Sequence, residues 1–543
     1  MQRDGESTIA SGDLYVHRPP NRDPAAGIPI FPIAAYRHYL RVTEILDGAR
    51  RLTLGYELLQ RARGDWTVVG RYRARMAWTG PEGFLRGKVR DAHGAVVGSL
   101  ALTWVSPYLR RATVEIDRIP EAERPLQNAA GRGWRDILDQ VGWDVTVVES
   151  DADVKEPSGE SWSNAELHAA MAELREPVDL NREWRYWLLC VRRLDFPGAD
   201  RGIMFDLGGG PNDVPREGAA IASHWMVPDE ELWGTIRGAR FGTTAQYFRT
   251  AVHEIGDALG LGHNNLELGI MMPTDAIAKH AKDAGPPEHF PENVNWSYAS
   301  NDQKRLRHWP DIAVRPGGPG SAGSEQALPA DAELTVSPLL ASVPLGAPVR
   351  VDIALSNAEE LPVPTDLSLA GGHVSGTVTD RAGTVRSFRT LIHCIDSDAV
   401  GHAERVEGSM TLLHGVDGAL FPRAGTHTVR VDVRWHVGDA AYAVSGAARV
   451  TVTPAVDDAH AAAARRVLST PETLIALAFG GERQEAIAAA LDDDVLRPHF
   501  AYIEAKRVAA PFFDRPADPA RAAALIGDDA VMSATEAAKA SGW

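Results

Sequence analysis

The chain has 543 residues, 44% of them apolar, and a formal net charge of −17. At ~100–200 residues per domain, that length predicts several domains, each with enough apolar content for its own core. A field of this sign repels polyanions, so neither nucleic acid nor a membrane surface is an expected partner, although a local basic patch would survive that argument.

No apolar run approaches the ~20 residues that a spanning helix needs. Cys190 and Cys394 are far apart in sequence. That separation argues for two buried thiols rather than a disulfide scaffold or a cysteine zinc knuckle.

Residues 1–30 are polar and proline-bearing and read as a flexible N-terminal arm. They hold no apolar signal core, so cytoplasmic location is the default expectation, with signal-independent export as the alternative. Residues 31–118 read as an N-terminal β-rich domain. "WTVVGRYRARMAW" alternates over much of its length, and "GFLRGKVRDAHGAVVGSLALTWV" reads as a hairpin around His93 and Gly94 followed by a longer strand.

Residues 119–316 turn to mixed α/β texture. "WDVTVVES" is a strand, and "SNAELHAAMAELRE" is a helix with a capping box between Ser163 and Glu166. "WRYWLLCVRRL", "GIMFDL" and "GAAIASHWMVP" read as further strands. "TTAQYFRTAVHEIGDALGLG" carries a helical apolar pattern, with Thr243 and Gln246 as a second capping box. Residues 317–332, rich in Pro, Gly and Ser, form a linker. Short strands between turns predict an Ig-like β-sandwich over 333–455. The alanine-rich remainder, 456–543, is expected to be a helical region. The fold class expected is multidomain α+β.

The segment "HEIGDALGLGHNNLELGIMMP" carries the chemistry. Helical spacing points His253 and Asp257 the same way, with Glu254 beside them. Gly260 and Gly262 let the chain turn sharply out of the helix and swing His263 back to the same point. Three converging side chains leave a fourth position open, as a catalytic zinc requires.

These residues resemble the metzincin metalloproteases, most closely the matrixin-like branch, whose signature is H-E-x-x-H-x-x-G-x-x-H followed by a methionine turn. His253, Glu254, Gly260 and His263 match; Asp257 replaces the second histidine, and Met271 stands at the methionine turn. The resemblance covers residues 119–316. It implies a zinc-dependent endopeptidase with His253, Asp257 and His263 as ligands and Glu254 as general base toward a metal-activated water. Met271 would be an apolar floor. The "GAAIASHW" strand would be an edge strand aligning a polypeptide substrate through Ala220, Ala222 and His224. "YASNDQKRLRHW" resembles the last helix of the family's catalytic domain, with Ser300 as N-cap and Asp302 just inside. Cys190 falls within this block, so a thiol-based latency is not expected.

A carboxylate is an accepted zinc ligand at ~2.0–2.2 Å. Aspartate is shorter than imidazole, and its charge makes the metal a weaker Lewis acid. The competing expectation is therefore a weak or inactive pseudo-protease that grips peptides without cutting them.

Other residues admit two readings. His224 is either a structural metal ligand, as a histidine of the matching strand is in some relatives, or a plain strand histidine. His280 and His289 flank a proline-rich insert. Asp206, Asp213 and glycines 208–210 resemble a Ca2+ loop of oxygen donors, against the simpler reading of a turn. Trp184, Trp187 and Trp225 read as core rather than a carbohydrate platform.

Overall fold

Strands that alternate in polarity and follow one another through short turns pair with their sequence neighbours. The first hundred residues do this. In the computed structural model, Gln2–Arg3, Ala10–Tyr15, Tyr36–Gly48, Arg51–Ala62, Asp65–Trp78, Leu85–Asp91 and Val96–Leu102 form one sheet in sequence order, each antiparallel to the next. Leu54, Tyr56, Ala74, Met76 and Val89 form its small core.

The structure describes residues 1–527 except 5–8, 17–27, 29, 63–64, 80–83, 129, 196–200, 209–211, 213, 265–266, 285–288, 319–327, 331, 358–360, 370–371, 390–399, 416–417 and 438–439. The expectations for Cys394, Asp213, Gly209 and Gly210 lie outside the described residues.

Two boundaries in the first 118 residues differ from expectation. The first fifteen residues are not all loose arm, because Gln2–Arg3 and Ala10–Tyr15 are strands of the N-terminal sheet. Polar side chains anchor this segment: the Tyr15 hydroxyl donates to Asp311 at 2.6 Å, and Ser11 Oγ lies 2.9 Å from His308 Nδ1. Likewise Arg110–Arg118, expected to close the N-terminal domain, belongs to the central sheet. There it lies parallel to both Trp143–Glu149 and Arg185–Val191.

That central sheet runs in the order Gly202–Ile203, Gly218–Ala222, Arg185–Val191, Arg110–Arg118, Trp143–Glu149. Only Gly202–Ile203 is antiparallel to its neighbour. Parallel strands are covered on both faces and so read as continuous apolar runs; "YWLLCV" is buried throughout. Asn164–Leu174 opens with the expected capping box, Ser163 N–H donating to Glu166 Oε2 at 2.9 Å. Ala245–Ala258 shares the core of this sheet.

Beyond the expected linker, Ala332–Pro338, Val349–Asn357 and Arg405–Leu412 make a three-stranded sheet. A six-stranded sheet centred on Gly425–Val437 and Ala440–Thr453 shares its apolar core. The linker is shorter than expected, because Leu328–Pro329 already pairs with Ala440–Thr453.

The C-terminal helices are Asp458–Leu468, Thr473–Phe479, Glu485–Asp492, Arg497–Ala509 and Pro519–Ile526. They do not form a body with its own large core. Val467, Ile487 and Phe500 enter the core of the two sheets, while Leu474, Phe479 and Phe513 pack on the central block. Among the described residues, no helix is long and apolar enough to cross a membrane.

Candidate metal centre

The helix Ala245–Ala258 buries Phe248, Ala251, Val252, Ile255 and Ala258, the recurring apolar positions of its sequence. The capping box expected from Thr243 and Gln246 is not formed. Thr244 is the N-cap, and the Thr243 and Thr244 hydroxyls donate to the carbonyls of Arg240 and Phe241.

At the other end, Gly260 adopts φ 89°, in the left-handed region. Its N–H donates to the Asp257 carbonyl at 2.9 Å, and the Leu261 N–H donates to the Gly256 carbonyl at 3.1 Å. This pair of bonds is a Schellman cap, which satisfies helix-end carbonyls and reverses the chain.

The reversal brings His263 beside His253, ring centroids 5.0 Å apart. One ligand-type atom from each of His253, Asp257 and His263 lies within 4.8 Å of the other two. His253 Nε2 is 3.6 Å from Asp257 Oδ2. Tetrahedral zinc with bonds of ~2.0–2.2 Å sets its ligand atoms roughly 3.3–3.6 Å apart, so this pair already has a suitable spacing.

His253 Nδ1 lies 2.7 Å from the Ile270 carbonyl. A carbonyl can only accept, so Nδ1 carries the proton and Nε2 keeps its lone pair for a metal. Burial, with His263 and Arg249 nearby, holds His253 well below its ordinary pKa and keeps it neutral. Two imidazoles and one carboxylate, with one imidazole oriented by a carbonyl, make a donor set that fits zinc.

Glu254 is only 4% exposed. A Cβ added at Gly202 of the edge strand would come 2.5 Å from Glu254 Oε1, so the missing side chain there makes room for this carboxylate. Met271 is fully buried, and its Sδ would stand 2.4 Å from a Cβ on Gly256. The thioether thus lies directly against the helix between His253 and Asp257.

Arg249, one turn before His253, fixes the methionine segment from below. Its guanidinium donates to the carbonyls of Gly269, Ile270 and Met272 and to Thr274 Oγ1. Burial pulls Arg249 down to about 9. Tyr298, also buried, donates to the Val252 carbonyl at 3.2 Å. Ala299 is the N-cap of the helix Ser300–His308, so Ser300 is its first residue and not the expected cap.

The expected substrate strand is not at an edge. Gly218–Ala222 pairs with Arg185–Val191 on one side and Gly202–Ile203 on the other, and Ala220 and Ala222 are fully buried. Both sets of backbone groups are engaged, so this strand cannot add a peptide; Gly202–Ile203 holds the edge position. His224 lies beyond the strand, its Nδ1 2.8 Å from Ser223 Oγ and its Nε2 3.2 Å from Arg240. An arginine only donates, so this Nε2 accepts from it and is not presented to a metal.

His280 and His289 are exposed and stand outside the His253, Asp257, His263 cluster. Asp206 accepts from the N–H groups of Gly208 and Glu217, at 2.9 and 2.7 Å, as a turn-organising carboxylate does. Trp184 and Trp187 are core, and Trp225 packs edge-on to Trp233 and Phe241.

Gly202, Gly256 and Arg249 were not singled out from sequence. Arg249 had one available signal, an arginine four residues before His253 in an otherwise buried helix.

No protein family and no curated protein matches the chain. Among solved structures it aligns with the beta-glucosidase from Listeria innocua in complex with isofagomine, at 12% identity and a TM-score of 0.17. That alignment covers 64% of this chain and 47% of the other, so the chain spans about half the length of that protein. Wild type OgpA from Akkermansia muciniphila aligns at 10% identity and a TM-score of 0.16, over 63% of this chain and 92% of the other. At such TM-scores no shared fold follows.

Proposed function

We propose that the chain is a zinc-dependent endopeptidase whose central block is metzincin-like. The observation that carries this reading is the convergence of His253, Asp257 and His263 within 4.8 Å, with Glu254 next in sequence to the first of them.

In this reading His253, Asp257 and His263 hold the metal. Zinc, when bound, supplies Lewis-acid polarisation and lowers the pKa of water. Glu254 takes a proton from the attacking water and delivers it to the leaving amine, a general base and then a general acid. Gly202 leaves space for that carboxylate, and Met271 closes the site beneath the ligands. Ile270 keeps the His253 ring in the tautomer that can ligate.

The test is zinc content of the purified protein, measured beside Asp257→His and Asp257→Ala, with cleavage of an unfolded protein as second readout. Near-stoichiometric zinc and cleavage in wild type, both lost in Asp257→Ala, support the proposal. Zinc and cleavage only in Asp257→His would make the natural protein a peptide-gripping pseudo-protease instead.

A further inference from the structure

The strands Asp65–Trp78 and Leu85–Asp91 carry two runs of alternating cations, "RYRAR" and "RGKVR", that the metal centre does not use. Alternation puts Arg71, Arg73 and Arg75 on one face of the first strand and Arg86, Lys88 and Arg90 on the same face of the second. In register, Arg73 stands directly opposite Arg90 and Arg75 directly opposite Lys88. All six residues are exposed, while Ala74, Met76 and Val89 between them face the core.

Like charges directly across a ladder destabilise it. Acids of the neighbouring strands relieve this at two positions: Glu57 pairs with Arg71 at 2.9 Å and Glu44 with Arg73 at 2.7 Å. Same-face residues are ~6.6–6.8 Å apart along a strand and ~4.5–5.5 Å apart across it. The two rows are offset by one pair, Arg86 standing opposite Ala77, so the six cations line a strip roughly 20 Å long, on a protein whose net charge is −17.

We infer that this strip is a binding site for a linear sulfated polysaccharide. Guanidinium forks match the paired oxygens of a sulfate ester, and the regular spacing suits a chain with charges at intervals. Other polyanions fit less well. Stacking of unpaired bases needs exposed rings, and the ring at this strip, Phe84, has the Arg86 guanidinium over it at 4.9 Å. Insertion into a bilayer needs large apolar anchors among the cations; the exposed Trp78 lies on the opposite face, in line with Ala74 and Met76, and the exposed side chain opposite Arg90 on the following strand is only a valine, Val96. The expectation that this chain avoids polyanions follows from its mean charge and does not extend to this face.

The test uses the full chain and fluorescently labelled dextran sulfate at about 0.15 M salt, followed by anisotropy, with uncharged dextran as control. Saturable binding that weakens with salt is expected. The variant R73Q/R75Q/K88Q/R90Q is expected to bind about tenfold more weakly or worse, with unfolding temperature kept or raised. The control R465Q/R466Q, altered in the helix Asp458–Leu468, should bind as wild type does. Should the fourfold variant lose its fold, Lys88→Glu, which sets opposite charges across the strands, must weaken binding by itself. Absence of saturable binding, equal affinity in the strip variants, or tighter binding to single-stranded DNA or phosphatidylserine vesicles overturns the inference.

Discussion

The thioether of Met271 rests where a side chain on Gly256 would have to be: a Cβ there would lie 2.4 Å from Sδ. In an isolated helix alanine is better than glycine by ~0.8–1.0 kcal/mol. Overpacking a filled core costs about 1–3 kcal/mol, so the clash outweighs the propensity gain. Gly256→Ala is expected to lower the unfolding temperature, and Gly256→Ala combined with Met271→Ala to recover part of the loss. Thermal unfolding of the single and double variants checks this. Additive losses would show that the two residues do not share space.

Gly202→Ala acts on a different atom. The new methyl would come 2.5 Å from Glu254 Oε1, the movable end of a side chain, and 2.7 Å from Thr250 Cγ2, which its helix holds more stiffly. The carboxylate can swing away and Thr250 must give slightly, so some stability is lost and the proposed general base is displaced. Cleavage of an unfolded protein is expected to fall by about a hundredfold, in the range of lost acid–base catalysis, with zinc content unchanged. Unaltered turnover would remove Glu254 from the mechanism.

Arg249 offers a test that needs no substrate. Its buried guanidinium satisfies three carbonyls and a hydroxyl around the methionine segment. Arg249→Met fills the volume and strands those acceptors. Unmade buried hydrogen bonds cost about 1–3 kcal/mol each, and partial rehydration leaves an expected net loss of roughly 2–4 kcal/mol. Denaturant unfolding should show a lower midpoint.

The joint between the N-terminal strands and the central block should respond to pH. Burial, reinforced by the Asp311 carboxylate, pushes Asp13 up to about 8. Unfolded, the same group titrates near ~3.9. The native state therefore holds a proton that the unfolded chain releases. This contribution is complete below ~3.9 and is lost as pH rises through about 8. Stability should fall across that window in wild type, and Asp13→Asn should flatten the dependence. Unfolding temperature measured from about pH 5 to about pH 9 gives the comparison. Parallel curves for the two proteins would show that Asp13 is not the group responsible.

Local chemistry was readable and long-range pairing was not. Ser163 and Glu166 announce their helix start because both partners of the cap lie within four residues. Gly260 announces its reversal because a left-handed cap favours glycine. The ligand trio follows from that reversal and from the helical spacing of His253 and Asp257.

The edge strand was hidden for the opposite reason. Gly202–Ile203 has only two residues and so no periodicity, whereas Gly218–Ala222 has the stronger strand signal because it is enclosed on both sides. Arg110–Arg118 reads from sequence as part of the N-terminal sheet because its partners, Trp143–Glu149 and Arg185–Val191, lie beyond intervening helices, and parallel pairing leaves no turn to mark it. Gly256 and Gly202 went unnoticed because each matters through the atom it lacks.

The C-terminal helices have a consequence for how this protein can be cut down. Val467 and Phe500 are embedded in one apolar interior while Leu474 and Phe513 cover another, and the Phe513 N–H donates to Glu166 at the base of the central block. A chain ended before Asp458 would leave greasy scars on two neighbours at once. The central block expressed alone should therefore clump, and co-supplying the missing helices as a separate polypeptide should restore its solubility.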